Sequence, residues 1–193
     1  TNIDRRIKLA LSKEPLSHLD PDFFSILDSI SSSLRSVFQT NNKVTFAVSG
    51  TGSSGMEMAM TNLIEENDEV LILKNGEFGS RMENLAHRLK ARVSTMSAEW
   101  GESFEQSLVI EKIKSMPNLK LVSVVQAETS TGVLQEIDLI GKHLKNTDII
   151  FLVDAVTSLT GVSLKVDEWG IDSCFSGSQK CLSVPPGLAP ITF

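Results

Sequence analysis

The sequence predicts an α/β domain built on a mostly parallel, mixed sheet sandwiched by helices, and three observations carry that expectation. Apolar runs rich in β-branched residues alternate with amphipathic stretches through most of the 193 residues. A glycine-rich turn follows the first of those runs, and polar or acidic residues follow several of the later ones. Hydrophobic side chains make up 41% of the chain, enough at this length for one large core.

Taken in order, residues 21–38 place Phe23, Ile26, Leu27, Ile30, Leu34 and Phe38 at spacings of three and four, which puts them on one face of a helix. Asp20-Pro21 is a suitable start for that helix, and the apolar face is expected to pack on the sheet. Residues 44–48 predict a strand, followed by the turn Ser49-Gly50-Thr51-Gly52-Ser53-Ser54-Gly55 and a helix over 56–64. The runs 70–73, 92–96, 119–125 and 149–153 predict buried strands, because β-branched residues dominate them and polar segments separate them. Between these, 81–89, 104–116 and 137–144 predict covering helices. Residues 171–175 and 188–193 predict two more strands, joined by a loop that carries Lys180.

Composition narrows the function classes. The net charge of -6 comes from 24 acidic and 18 basic residues scattered along the chain, with no basic stripe to attract a phosphate backbone, so no nucleic acid partner is expected. The longest apolar runs are too short to span a bilayer, and the N-terminus lacks a charged start followed by an apolar run, so no membrane association is expected. Cys174 and Cys181 are too few for a disulfide framework and predict buried free thiols in a cytoplasmic setting; organellar targeting stays open in a sequence that begins at Thr1 and looks truncated at both ends. His18, His87 and His143 lack metal-ligand spacing and no G-x-S-x-G is present, so neither a metal site nor a serine hydrolase is expected. Trp100 and Trp169 are expected to be packing residues.

Four segments have the chemistry of a ligand site. In the glycine-rich turn, absent side chains let backbone amides close on an anion at a helix start, a plausible phosphate cradle. Gly50, Gly52 and Gly55 also match G-x-G-x-x-G, which keeps a dinucleotide-dependent oxidoreductase open, although the next strand ends in Lys74-Asn75 rather than an acidic residue. Asp154 directly follows an apolar strand, at the carboxyl edge where open α/β sheets bind ligands; there it suits a protonated pyridine nitrogen, or merely caps the following turn. Lys180 stands among small residues in Ser176-Gly-Ser-Gln-Lys180, where a desolvated amine could form an imine, although most lysines are solvated surface residues. The polar loop Gln126-Ala-Glu128-Thr129-Ser130-Thr131-Gly132 either contacts a ligand or satisfies its own backbone. Phe78 either stacks on a flat ring or is plain core.

Together and in order, Ser49-Gly-Thr-Gly-Ser53, Glu128-Thr-Ser-Thr-Gly132, Val153-Asp-Ala-Val-Thr-Ser158 and Ser176-Gly-Ser-Gln-Lys-Cys-Leu182 with Pro185-Pro-Gly187 resemble the class V, pyridoxal-phosphate-dependent aminotransferases, above all the alanine–glyoxylate and serine–pyruvate group. The resemblance covers nearly the whole chain, including Pro15-Leu-Ser-His-Leu-Asp-Pro-Asp-Phe23. It implies a fold-type-I large domain over residues 1–193, with the C-terminal small domain and its carboxylate-binding arginine absent, and a homodimer whose neighbouring subunit adds phosphate contacts. Pyridoxal 5'-phosphate would be the cofactor, with Lys180 as Schiff-base lysine and Asp154 as partner of the ring nitrogen. Thr51, Gly52, Ser53 and Gln179 would hold its phosphate, Thr129 its ring oxygen, and Val156 and Phe78 its two faces. The implied reaction moves an amino group from alanine or serine to glyoxylate or pyruvate. Ureidoglycine–glyoxylate transamination is a close alternative, to which Ala98-Glu-Trp-Gly-Glu102 and Gln179-Lys-Cys-Leu182 are also similar, and a catalytically incompetent module is another.

Overall fold

A computed structural model describes residues 2–193 and contains every strand expected from the sequence. In chain order the elements are α1 (Arg5–Leu11), α2 (Pro21–Phe38), β1 (Thr45–Ser49), α3 (Gly52–Leu63), β2 (Glu69–Lys74), α4 (Glu77–Arg88), β3 (Arg92–Ser97) and α5 (Gln106–Lys114). There follow β4 (Leu119–Val125), β5 (Ala127–Glu128), β6 (Val133–Leu134), α6 (Asp138–Leu144), β7 (Ile150–Asp154), α7 (Val166–Trp169), β8 (Ser173–Phe175) and β9 (Leu188–Thr192).

Among the described residues, seven strands form one sheet in the order β1-β9-β8-β7-β4-β2-β3. The five from β8 to β3 run parallel, whereas β9 is antiparallel to both β8 and β1. Because side chains alternate across a strand, each central strand feeds two cores. Phe151 and Val153 of β7 join Val122 and Val124 of β4 beneath α2, α5, α6 and α7, while Leu152 joins Val70, Ile72, Leu121 and Phe175 beneath α3 and α4. All of these are completely buried, and each such side chain contributes about 1.5–3 kcal/mol through removal from water.

Local signals explain most boundaries. The Asp20 carboxylate accepts from the Asp22 N–H, Pro21 occupies the first turn of α2, and Gln39 closes the helix in the left-handed conformation. Both α3 and α4 begin four residues before the expected positions 56 and 81, because Gly52-Ser-Ser-Gly55 and Glu77-Phe-Gly-Ser80 are weak helix formers whose first turns are held by tertiary surroundings. Helices α1 and α7 and the β5–β6 hairpin are additional to the expected elements; the hairpin occupies the segment expected to be an irregular loop.

Two packing expectations are corrected. The apolar face of α2 reaches the core only at Leu34 and Phe38, leaving Ile26 at 47%, Leu27 at 43% and Ile30 at 36% exposure, because the helix meets the β1–β9 edge at its C-terminal end. Trp100 is 69% exposed and is not a packing residue, whereas Trp169 packs against the core. Among the described residues no helix is long and apolar enough to cross a membrane, and no cluster of three His, Cys, Asp or Glu side chains could hold a metal ion.

Gly141 tests this packing. A Cβ there would lie 2.0 Å from the Trp169 carbonyl oxygen, where α6 crosses the end of α7. Alanine at an unhindered helical glycine stabilises by about 1 kcal/mol. Gly141→Ala is instead expected to destabilise by about 1–3 kcal/mol, measured as a lowered midpoint in chemical denaturation.

Candidate active site

The carboxyl ends of the parallel strands open into a cavity of about 290 Å³ lined by Thr51, Gly52, Ser53, Met56, Phe78, Asp154, Val156, Gln179 and Lys180. Three features of the fold bring these residues to it. Helix α3 brings its N-terminal residues to the cavity, α4 brings Phe78, and the chain between β8 and β9 brings Gln179 and Lys180.

At the α3 terminus, Thr51 is the N-cap residue but makes no side-chain capping bond. The Gly52 and Ser53 amides, the first of the helix, have no intrahelical acceptor and face the cavity lining with the positive end of the helix dipole. Gly50 has φ 155°, a conformation that favours glycine, and a Cβ at Gly52 would lie 2.8 Å from Val156 Cγ2, so the turn packs against the Val156 side chain with no room for a larger residue at position 52.

The return loop is held by its own bonds. Ser176 donates its hydroxyl to the Ala155 carbonyl at 2.9 Å, the Ser178 hydroxyl donates to Pro185 at 2.6 Å, and the Ser178 N–H donates to Leu188 at 3.0 Å. Gln179 and Lys180 thereby reach the cavity, with the Gln179 Oε1 buried and without a hydrogen-bond partner. Lys180 is half-buried, more open than the desolvated setting expected of it, and takes part in no ion pair among the described residues.

Asp154 ends β7 on the side facing α3 and α4, 2% exposed. One carboxylate oxygen accepts the Val156 N–H at 2.8 Å, and no cation pairs with it among the described residues. Burial therefore pushes its carboxyl up to about 7; the Val156 N–H opposes this and the charge of Glu128 adds to it. Burial, with the nearby Asp154 charge, also pushes the Cys174 thiol up, which leaves that thiol inert; Cys181, expected to be buried as well, is exposed on the return loop.

Eight of the nine residues singled out from sequence thus line one cavity. The ninth, Thr129, is not among the lining residues; it is exposed, and its hydroxyl is hydrogen-bonded to that of Thr157. Sequence reasoning missed Met56, Thr157 and the anchoring role of Glu128. Met56 follows the glycine-rich turn at the spacing that returns it to the same helix face as Gly52 and Ser53, a signal that was available.

An uncompensated buried carboxylate, an orphan amide oxygen, open helix N-terminal amides and an accessible amine around one slot fit a flat, cationic, phosphate-bearing aldehyde. They do not fit a dinucleotide. In the dinucleotide arrangement the strand before the glycine-rich turn is central and parallel to its neighbours. Here β1 is an edge strand, antiparallel to β9, and Lys74 at the end of β2 is neutralised by Glu83 at 2.7 Å.

Comparison with known proteins agrees with this geometry. The family model "Aminotransferase class-V" matches residues 9–192. The (S)-ureidoglycine–glyoxylate transaminase of Bacillus subtilis is 39% identical over 191 residues, covering 99% of this chain and 46% of that protein. The alanine–glyoxylate aminotransferase of Rattus norvegicus is 38% identical over 193 residues, covering 100% and 46%. The crystal structure of an alanine–glyoxylate aminotransferase from Nostoc sp. superposes with a TM-score of 0.96 at 40% identity, covering 100% of this chain and 51% of that one. The chain spans about half the length of the relatives it matches.

The raised Asp154 carboxyl has a signed consequence. Between about pH 4, where an unfolded aspartate titrates, and pH 7, the folded protein holds a proton that the unfolded chain has lost. Stability of the cofactor-free protein therefore falls as pH rises through that window, and the penalty is complete above it. Asp154→Asn removes the penalty while keeping an acceptor for Val156. The cofactor-free variant is expected to melt higher than the parent at pH 8, by on the order of a few kcal/mol, with the difference gone near pH 4 in calorimetric scans.

Proposed function

The chain belongs to the class V aminotransferases, and we propose that it is the cofactor-binding part of a pyridoxal-phosphate-dependent transaminase that uses glyoxylate or pyruvate as amino acceptor and alanine or serine as donor. The observation that carries this reading is the convergence of Lys180, Asp154 and the α3 N-terminus on one cavity.

When bound, pyridoxal phosphate supplies an electron-withdrawing ring that stabilises charge on the α-carbon of an amino acid. The chain's own residues would do the rest. The Gly52 and Ser53 amides, the Thr51 and Ser53 hydroxyls and Gln179 would hold the phosphate at the helix terminus, which favours an anion. Asp154 would pair with the ring nitrogen and gain the cation its surroundings lack, which draws its carboxyl back down and keeps the nitrogen protonated. Val156 and Phe78 would pack on the ring, and Thr129 would donate to its oxygen. The amine of Lys180 would hold the cofactor covalently and, once released by the incoming amino acid, carry the proton at the substrate's α-carbon.

A second donor, (S)-ureidoglycine, is favoured by the 39% identity to the Bacillus subtilis enzyme. The donor-carboxylate contacts would come from outside these residues, a reading supported by the chain's coverage of about half the length of these relatives. We also propose a homodimer, supported by the uncovered apolar residues Phe24, Ile26, Leu27 and Ile30 on α2, and a cytoplasmic location.

Two assays on the full-length protein test the reading. Borohydride reduction after pyridoxal phosphate addition is expected to leave an adduct on Lys180 by mass spectrometry, and Lys180→Ala is expected to lose it along with about 10³-fold or more of transamination rate. Glyoxylate-dependent turnover with alanine, serine and (S)-ureidoglycine separates the donors; an adduct without turnover on any of them would sink the transaminase assignment.

A further inference from the structure

Glu128 lies three residues beyond β4 and is 1% exposed, yet no cation pairs with it among the described residues. Its carboxylate is satisfied by hydrogen-bond donors instead. Oε2 accepts from the N–H groups of Phe78 at 3.1 Å and Gly79 at 3.2 Å. Oε1 accepts from the Ser130 N–H at 3.1 Å and the Ser130 hydroxyl at 2.7 Å. The Ser130 hydroxyl oxygen in turn accepts the Glu77 N–H at 3.0 Å.

Three consecutive amides, those of Glu77, Phe78 and Gly79, are therefore held from the loop after β4. They are the first turn of α4, whose N-cap residue, Gly76, has no side chain to cap it. A Cβ at Gly76 would lie 2.4 Å from Glu128 Cγ, so the carboxylate reaches this terminus only because residue 76 is glycine. A negative charge at a helix N-terminus is favoured by the aligned peptide dipoles, and charge-assisted bonds to backbone amides are strong and directional. The turn they fix carries Phe78, which lines the cavity, and the residue next to Glu128 is Thr129.

We propose that Glu128 is a positioning residue: it clamps the first turn of α4 to the β4 loop and thereby holds Phe78 against the cofactor ring. The clamp rests on hydrogen-bond geometry alone; its purpose rests on the pyridoxal phosphate reading.

The test uses the full-length protein with Glu128→Ala, Glu128→Gln, Phe78→Ala and the double variant E128A/F78A. In the cofactor-free protein, hydrogen exchange at the Phe78 and Gly79 amides is expected to quicken at least about tenfold in Glu128→Ala, with residues 82–88 unchanged. Glu128→Gln, which keeps one acceptor oxygen, is expected to fall between, and it serves as the test if the alanine variant does not fold. Pyridoxal phosphate titrations followed by absorbance and visible circular dichroism are expected to show about tenfold weaker binding and a changed dichroic band in Glu128→Ala. Because Glu128 acts through Phe78, the double variant is expected to bind no more weakly than the weaker single. Unchanged exchange in the variants, or losses that multiply in the double variant, would overturn the proposal. A parent protein that protects these amides yet takes up no pyridoxal phosphate would overturn the cofactor reading and the purpose assigned to the clamp, while leaving the clamp itself standing.

Discussion

The site depends on a carboxylate buried without a cation. Asp154 sits at the carboxyl end of β7, in the middle of the sheet, with one hydrogen bond from its own loop and Glu128's charge nearby. The folded chain holds it there because Ile150-Phe-Leu-Val-Asp154 is anchored by β4 and β8 on either side, and the apolar burial of Phe151, Leu152 and Val153 outweighs the cost of one desolvated acid. A cationic ring nitrogen placed against it would relieve that cost.

The walls around Asp154 come from segments far apart in sequence, and hydrogen bonds rather than apolar packing tie them at the rim. Glu128 and Ser130 fasten α4 to the β4 loop, Thr129 meets Thr157 across the gap to the β7 loop, and Ser176 fastens the return loop to Ala155. Polar ties suit this place. A directional bond sets a position to a few tenths of an ångström, whereas apolar contacts tolerate sliding, and a ring slot needs its faces at a set spacing.

The fold class was legible because strand and helix periodicities are written in near neighbours. Residues 119–125 and 21–38 coincide with β4 and α2, since a largely apolar, valine-rich run and an Asp-Pro start leave little alternative. The early starts of α3 and α4 were not legible, since glycine and serine carry no helical periodicity and the acceptor that caps α4 comes from elsewhere in the chain. Nor was the exposure of Ile26, Leu27 and Ile30, because an apolar helical face specifies burial without specifying by what.

By itself the sequence determined which residues could do chemistry: an acid ending a buried strand, small residues opening a helix, and one amine among serines and a glycine. Those are local properties of side-chain type and spacing. The tertiary structure alone decided that Thr51, Phe78, Asp154 and Lys180 share one cavity, because that follows from the strand order and from β9 returning antiparallel between β1 and β8. Strand pairings of this kind join segments with nearly interchangeable apolar patterns, so the choice among them is made by the packing of the whole sheet and not by any one stretch of chain.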